Sequence, residues 1–111
     1  MVRGVQESMN DLMQRHKPWR SEKHLNWIRS LPCANCGKPG PNDPHHLIGV
    51  AGLGVVGGKA PDQFAVPLCR GFELSCHDDL HSGRIPLETQ WIWLAKTIER
   101  GFNEGHLGVT A

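Results

Sequence analysis

The segment CHDDLH at residues 76–81, taken together with the doublet HH at residues 45–46, decides the predicted fold of this chain. His77 and His81 are four residues apart, so they lie on one face if the segment is helical. Three imidazoles, two from this helix and one from the doublet, suit a metal ion that keeps open positions for a substrate. The pattern therefore predicts a strand that presents the doublet to a short helix beginning at Cys76.

Four cysteines frame these histidines: Cys33, Cys36, Cys69 and Cys76. The first pair is typical of a zinc knuckle, and four thiolates suit a closed tetrahedral zinc ion. The N-terminal part of the chain lacks the apolar core of a secretory signal, so we expect a cytoplasmic protein whose cysteines bind zinc rather than form disulfides. The insert at residues 70–75 must bulge outwards if all four cysteines bind one ion, and the sequence leaves open whether they do.

The composition is that of one small globular domain. With 111 residues, of which 39% are hydrophobic and 21% charged, the chain has no run long enough to span a bilayer. A domain of this length buries a modest core and often needs a metal ion or disulfides to hold it together. We therefore expect one soluble domain with a structural Zn²⁺ and no membrane contact.

Basic side chains are concentrated near the N-terminus. Residues 1–38 carry seven basic and three acidic side chains, whereas the rest of the chain carries five and eight. Clustered lysines and arginines bind nucleic acid through counterion release, but a solvated helix surface explains the charge equally well. We divide the chain into a basic arm at residues 1–20, a zinc-stapled domain at residues 21–101 and a C-terminal tail at residues 102–111.

The remaining pattern predicts two strands and two further helices around the histidines. Ser21 is a suitable N-cap for a helix of about nine residues that ends before Pro32. Strands are expected at residues 45–48 and 64–68, and a last helix is expected to run from Pro86 to Gly101. The predicted fold class is therefore α+β.

Five glycines between residues 49 and 58 predict an irregular loop. The loop contains GLGVVG at residues 52–57, which matches a dinucleotide-binding fingerprint, and Gly58-Lys59, which resembles part of a phosphate loop. No helix pattern follows either motif, and no βαβ unit surrounds them. The sequence therefore argues against nucleotide binding.

Together these motifs resemble the HNH, or ββα-metal, nuclease superfamily, in particular its small zinc-stapled phage and prophage members, such as the phage RecA-dependent nuclease. The resemblance covers residues 21–84 and rests on the order and spacing of four segments: LPCANCG at 31–37, DPHHLI at 43–48, VPLC at 66–69 and CHDDLH at 76–81. It implies a ββα-metal core with a zinc knuckle and flanking helices, and it makes residues 21–101 a nuclease domain.

The resemblance also implies roles for individual residues. Three of them would bind a catalytic divalent ion: His45, His77 and His81. His46 would be the general base that activates water. The middle asparagine of the superfamily, which orients the loop between the strands, falls near Asp62-Gln63 here, where Gln63 could supply an amide.

The implied activity is metal-dependent endonuclease cleavage of DNA, leaving 5′-phosphate and 3′-hydroxyl ends, in phage or prophage recombination or DNA processing. Three imidazoles favour Zn²⁺, Mn²⁺ or Ni²⁺, although members of the superfamily are often assayed with Mg²⁺ or Mn²⁺. Three basic residues near the site in sequence are expected to contact phosphate: Lys59, Arg70 and Arg84. DNA is the expected partner and a recombinase filament a candidate one, while the oligomeric state is not indicated.

The competing interpretation is a zinc-stapled module that binds DNA or protein without cleaving. Both interpretations predict zinc and DNA affinity, and they differ at His46, whose replacement abolishes cleavage only if it is the base. A redox role for Cys33 and Cys36 is disfavoured, because the βαβ context of a thioredoxin-like motif is missing.

Overall fold

A computed structural model describes residues 18–54, 58–71 and 75–108. The elements are helix α1 (Glu22–Arg29), strand β1 (Asp43–His46), a single turn of 3-10 helix (Asp62–Phe64), strand β2 (Ala65–Leu68), helix α2 (Cys76–His81) and helix α3 (Thr89–Asn103). This part of the chain is thus a small α+β domain, as predicted. Residues 1–17 of the predicted basic arm lie outside the described residues. Among the described helices, none is both long and apolar enough to cross a membrane.

The two strands form an antiparallel pair in which His45 lies opposite Val66 and His46 lies opposite Ala65. His46 is the last residue of β1, and the two histidines of the doublet meet different neighbours: His45 contacts Gln90 and His46 contacts Asp62.

Strand β1 begins earlier than the predicted strand at residues 45–48 and ends at His46. Pro44 pairs with Pro67, an arrangement that a two-stranded sheet tolerates because both of its strands are edges. The chain then turns at Gly49, whose φ of +65° is accessible to glycine without strain. The expected irregular loop follows and is seen through residue 54, with residues 55–57 outside the described ranges.

Helix α1 starts as predicted, because the side chain of Ser21 accepts a hydrogen bond from the amide of His24. Asn42, just before β1, fixes the path from this helix to the sheet. Its side-chain amide donates to the carbonyls of Leu31 at 2.9 Å and Lys38 at 3.0 Å, on either side of the cysteine knuckle. The knuckle is thereby held against the start of β1.

The hydrophobic core lies between the strand pair and helices α2 and α3. All four residues of β2 are buried. The buried side chains of this core are Cys33, Leu47, Val50, Val66, Leu68, Cys69, Cys76, Leu80, Trp93 and Leu94. Because three of the four cysteines belong to it, the core and the cysteine cluster form one unit.

Helix α3 differs from its prediction at both ends. Residues 86–88 form a turn, and the helix begins at Thr89 and passes through Gly101 to Asn103. Gly101 is buried, and a Cβ atom there would lie 2.5 Å from Cδ1 of Leu107. This glycine permits close packing, whereas Gly105, with a φ of +76°, follows the end of the helix.

The predicted tail continues to pack on the domain beyond α3. The ring of His106 stacks on Trp27 of α1, with ring centroids 4.1 Å apart, and its Nε2 lies 2.9 Å from Nδ1 of His24. The part of the tail up to residue 108 is therefore attached to the first helix, which the sequence did not indicate.

Candidate functional site

The four cysteine sulfurs converge at one point, all within 4.8 Å of one another. The sulfurs of Cys36 and Cys69 are 3.8 Å apart, which matches the roughly 3.8 Å expected between sulfurs of a tetrahedral zinc site with Zn–S bonds of about 2.3 Å. All four cysteines are free thiols. The geometry therefore joins the two pairs in one candidate zinc site.

Amide donors surround the sulfurs of this cluster. The backbone N–H of Cys76 donates to Sγ of Cys69 at 3.3 Å, and the side chain of Asn35 donates to Sγ of Cys76 at 3.2 Å. Burial raises the pKa of the Cys76 thiol, and the neighbouring sulfurs add to this. At Cys33 burial also acts to raise the pKa, but backbone donors outweigh it and bring the value to about 7. A bound cation would favour the thiolate form of these crowded groups.

The predicted histidine cluster also forms. Nitrogen atoms of His45, His77 and His81 lie within 4.8 Å of one another. The rings of His77 and His81 are 4.2 Å apart, as expected for residues four apart on helix α2. His45 is buried, His77 is half-buried and His81 is exposed, so the cluster is open to solvent on one side. Three ligands with an open side are the arrangement of catalytic metal sites, whereas four ligands make a closed one.

The imidazoles of this cluster favour the neutral form that binds metal. Burial lowers the pKa of His45 to about 4 although the ring donates a hydrogen bond to Gln90, which acts to raise it, and the nearby His77 and His81 lower it further. Burial and the proximity of His81 also lower the pKa of His77. Nδ1 of His77 is buried and has no hydrogen-bond partner among the described residues, and Oδ1 of Asp78 lies 3.9 Å from it. The donor set thus fits a divalent cation.

The side chain of Gln90, on α3, contacts the ring of His45. Nε2 of His45 lies 2.9 Å from Oε1 of Gln90, and the glutamine side chain is completely buried. No local motif in the sequence marks this residue as part of the site. Its spacing from Leu87 and Leu94 places it on the face of α3 that packs into the core, where a polar side chain needs hydrogen-bond partners.

His46, the last residue of β1, contacts Asp62. Its Nε2 lies 2.9 Å from Oδ1 of Asp62. The same carboxylate accepts hydrogen bonds from the backbone N–H of Ser21 at 2.7 Å and from the guanidinium of Arg20 at 3.1 Å. Asp62 and Arg20 are site residues that the sequence analysis missed, and Arg20 links the end of the predicted arm to the domain.

The position of Gln63 differs from the expected one. Gln63 is exposed and lines an apolar groove beside Phe64, while Asp62 makes the contact with His46. Adjacent residues of a 3-10 turn point about 120° apart, so only one of the two can face the strand. The side chain that contacts the doublet is therefore that of Asp62 and not that of Gln63, whose loop-orienting role stays a prediction.

The carboxylate of Asp62 stays ionised despite its burial. Burial acts to raise its pKa, but hydrogen bonds from His46, from the Ser21 amide and from Arg20 outweigh this effect and lower the value to about 2. A permanently ionised carboxylate can only accept hydrogen bonds. Nε2 of His46 therefore carries a proton when it meets Asp62.

The three predicted phosphate contacts are all exposed. Arg70 forms an ion pair with Asp43 at 3.6 Å, and Nε of Arg84 donates to Oδ1 of Asp79 at 2.8 Å. Lys59 lies next to the Arg20 contact, because its carbonyl accepts a hydrogen bond from that guanidinium at 3.1 Å. Arg70 is also close enough to His77 to lower its pKa, which places one basic side chain near the histidine cluster.

Comparison with known proteins gives a family for this chain. Residues 5–105 match the family described as a protein of unknown function, DUF968. The chain is also 42% identical over 85 residues to the protein described as "Uncharacterized protein YdfU" of Escherichia coli strain K12. That alignment includes 77% of this chain and 22% of the relative, so the chain spans about a fifth of the relative's length. No solved structure gives a significant match. Since the match includes most of the chain, this protein is a member of the DUF968 family.

Proposed function

We propose that this protein is a metal-dependent endonuclease that hydrolyses DNA phosphodiester bonds. The observation that carries the proposal is the convergence of His45, His77 and His81 on the open side of the domain, with His46 adjacent to His45 in β1. The order of strand, strand and helix that brings these residues together is the order implied by the resemblance to HNH nucleases. A ββα-metal core is accordingly part of the proposal.

His45, His77 and His81 would hold the divalent ion. When bound there, such an ion would stabilise the charge on the scissile phosphate and on the departing oxygen. The solvent-facing side of the cluster, next to His81, leaves room for the phosphate. The basic side chain of Arg70, near His77, would help to hold the DNA backbone at this position.

His46 would take a proton from the attacking water. Because its Nε2 donates to the ionised Asp62, the lone pair of the neutral ring is on Nδ1, which is the atom assigned to proton transfer. Asp62 would orient the ring, and Arg20 would keep Asp62 in place. The side chain of His46 is 13% exposed, so water can reach it only from a limited direction.

The cysteine cluster would bind one structural Zn²⁺ that fixes the positions of the metal-binding histidines. Cys69 follows β2 directly, and Cys76 is the first residue of α2, immediately before His77. A zinc ion bound by both would therefore fix α2 against the strand pair. The cysteine site would stabilise the fold, and the histidine site would carry out catalysis.

Digestion of supercoiled plasmid and single-stranded DNA by zinc-loaded protein, with and without Mn²⁺ or Mg²⁺, tests the proposal. His46→Ala should lower cleavage by at least about 100-fold, because a general base contributes that much or more. Zinc content and DNA affinity should remain at wild-type levels. His106→Ala, a histidine outside both clusters, serves as the matched control and should cleave normally. A wild-type protein that binds DNA but never nicks it would instead support a zinc-stapled binding module, in which the His46 to Asp62 contact is structural.

A further inference from the structure

The side-chain amide of Gln90 has only one possible orientation. Its Oε1 accepts the backbone N–H of Ile48 at 3.0 Å, while its Nε2 donates to the carbonyls of Ile48 at 2.8 Å and Leu87 at 2.9 Å. Rotating the amide by 180° would place its NH₂ group against the N–H of Ile48. The backbone on both sides of the amide therefore fixes which atom faces His45.

The atom that faces His45 is the oxygen, which can only accept a hydrogen bond. Nε2 of His45 lies 2.9 Å from it and must therefore carry the ring proton. A neutral imidazole has one protonated nitrogen, so the lone pair is left on Nδ1. Gln90 is completely buried, and each of its two polar atoms makes two hydrogen bonds, so the amide cannot adopt another orientation.

We infer that Gln90 is a positioning residue that selects the tautomer of His45 and thereby makes Nδ1 the atom that binds the divalent ion. The inference rests on the proposed function, because it assigns a role within that metal site. In the opposite tautomer, His45 would direct an N–H group at the cation and could not bind it. The residue that sets this choice lies on α3, whereas the histidines lie on β1 and α2, so the last helix is part of the site.

A first test needs no substitution. In ¹⁵N-labelled, zinc-loaded protein without further metal, correlation of the imidazole nitrogens with the ring carbon-bound protons distinguishes the two tautomers of a neutral histidine. His45 should show the form with a proton on Nε2 and a lone pair on Nδ1. Finding the proton on Nδ1 would overturn the inference, whatever the protein does with DNA.

A second test measures Mn²⁺ affinity from the loss of the free-ion EPR signal. Mn²⁺ is the probe because it is the weakest binder of the divalent transition series and does not displace zinc from thiolates. Gln90→Met should weaken Mn²⁺ binding by about 10- to 100-fold, as loss of a partner behind a metal ligand typically does. Gln90→Glu keeps an acceptor for His45, and its neutral carboxylic acid can still donate to one of the two carbonyls that Gln90 meets, so it should recover part of that loss.

Thr97→Val is the matched control, because Thr97 is also buried on α3 but donates to the carbonyl of Trp93 within the helix. It should leave Mn²⁺ affinity unchanged. Unchanged affinity in Gln90→Met, with zinc and helix content retained, would overturn the inference while leaving the proposed function intact. Wild-type protein that binds no Mn²⁺ at the histidines would overturn the proposed function and this role of Gln90 with it.

Discussion

Asp62 accepts a hydrogen bond from Nε2 of His46 at 2.9 Å, which ties the 3-10 turn to the last residue of β1. The two residues lie at opposite ends of the connection between the strands. Arg20, in the segment before α1, donates a hydrogen bond to the same carboxylate. Three distant parts of the chain thus meet at one carboxylate. The arrangement orients a histidine that directly follows a candidate metal ligand, His45, in sequence.

Replacing Asp62 by asparagine should destabilise the fold. The pKa of about 2 lies below the unfolded value, so the ionised carboxylate contributes on the order of 2 kcal/mol above pH 4, and this is lost only as the pH falls through 2. The difference in unfolding free energy between wild type and Asp62→Asn, from urea titration, should therefore not decrease between pH 7 and pH 5. A difference that shrinks over this range would show that the carboxylate is protonated there. Asp78→Asn, at a half-exposed carboxylate, should change stability little.

Removing one zinc ligand should unfold the domain. The purified protein should contain one equivalent of zinc, and Cys76→Ser should release it, because the remaining sulfurs cannot close the tetrahedral site. Metal analysis and circular dichroism together check this outcome. Retention of one equivalent of zinc by the serine variant would contradict the assignment of Cys76 as a ligand.

Replacing Gly101 by alanine should destabilise α3 although alanine is the better helix former. In a helix interior, replacing glycine by alanine normally raises the free energy of unfolding by up to about 1 kcal/mol. Here the new methyl group meets Leu107 at 2.5 Å and Trp27 at 3.2 Å, so we expect a net loss of about 1 kcal/mol or more in thermal or urea unfolding.

The background variant Leu107→Ala provides the control for Gly101. Truncating Leu107 removes the closest contact, so Gly101→Ala in that background should become neutral or stabilising. An equal loss in both backgrounds would mean that the packing against Leu107 is not the reason for the glycine.

Lys59→Ala should weaken DNA binding more than Arg84→Ala does. Arg84 is already paired with the carboxylate of Asp79, whereas Lys59 is exposed beside the Arg20 and Asp62 contact. Loss of one phosphate contact should also reduce the salt dependence of log Kd by about one unit of slope. Fluorescence anisotropy at several salt concentrations measures both. Equal effects of the two substitutions would contradict this ordering.

Local patterns in the sequence predicted the local parts of the fold. The spacing of His77 and His81 indicated one helix face, and Ser21 indicated the start of α1, because caps and helical periodicity depend on residues within one or two turns. The spacing of the cysteines likewise indicated a metal-binding cluster. These features form as predicted.

The contacts that complete the candidate site depend on tertiary packing and could not be read from spacing. Asp62 and Gln63 are neighbours, and only the twist of the 3-10 turn decides which one meets His46. Gly101 looked like a helix end because glycine often follows one, but Leu107 packs on it instead. Gln90 acts through a residue 45 positions earlier in the chain, a pairing that no local rule connects.

Plasmid nicking by zinc-loaded protein as a function of Mn²⁺ concentration, in wild type and His81→Ala, decides whether the histidine cluster is a catalytic metal site. The wild type should show saturable, Mn²⁺-dependent nicking. The variant should lose nicking but keep its full equivalent of zinc, because His81 belongs to the open histidine cluster and not to the cysteine site. Equal nicking by both proteins, or none by the wild type at any Mn²⁺ concentration, would rule out catalysis at this cluster.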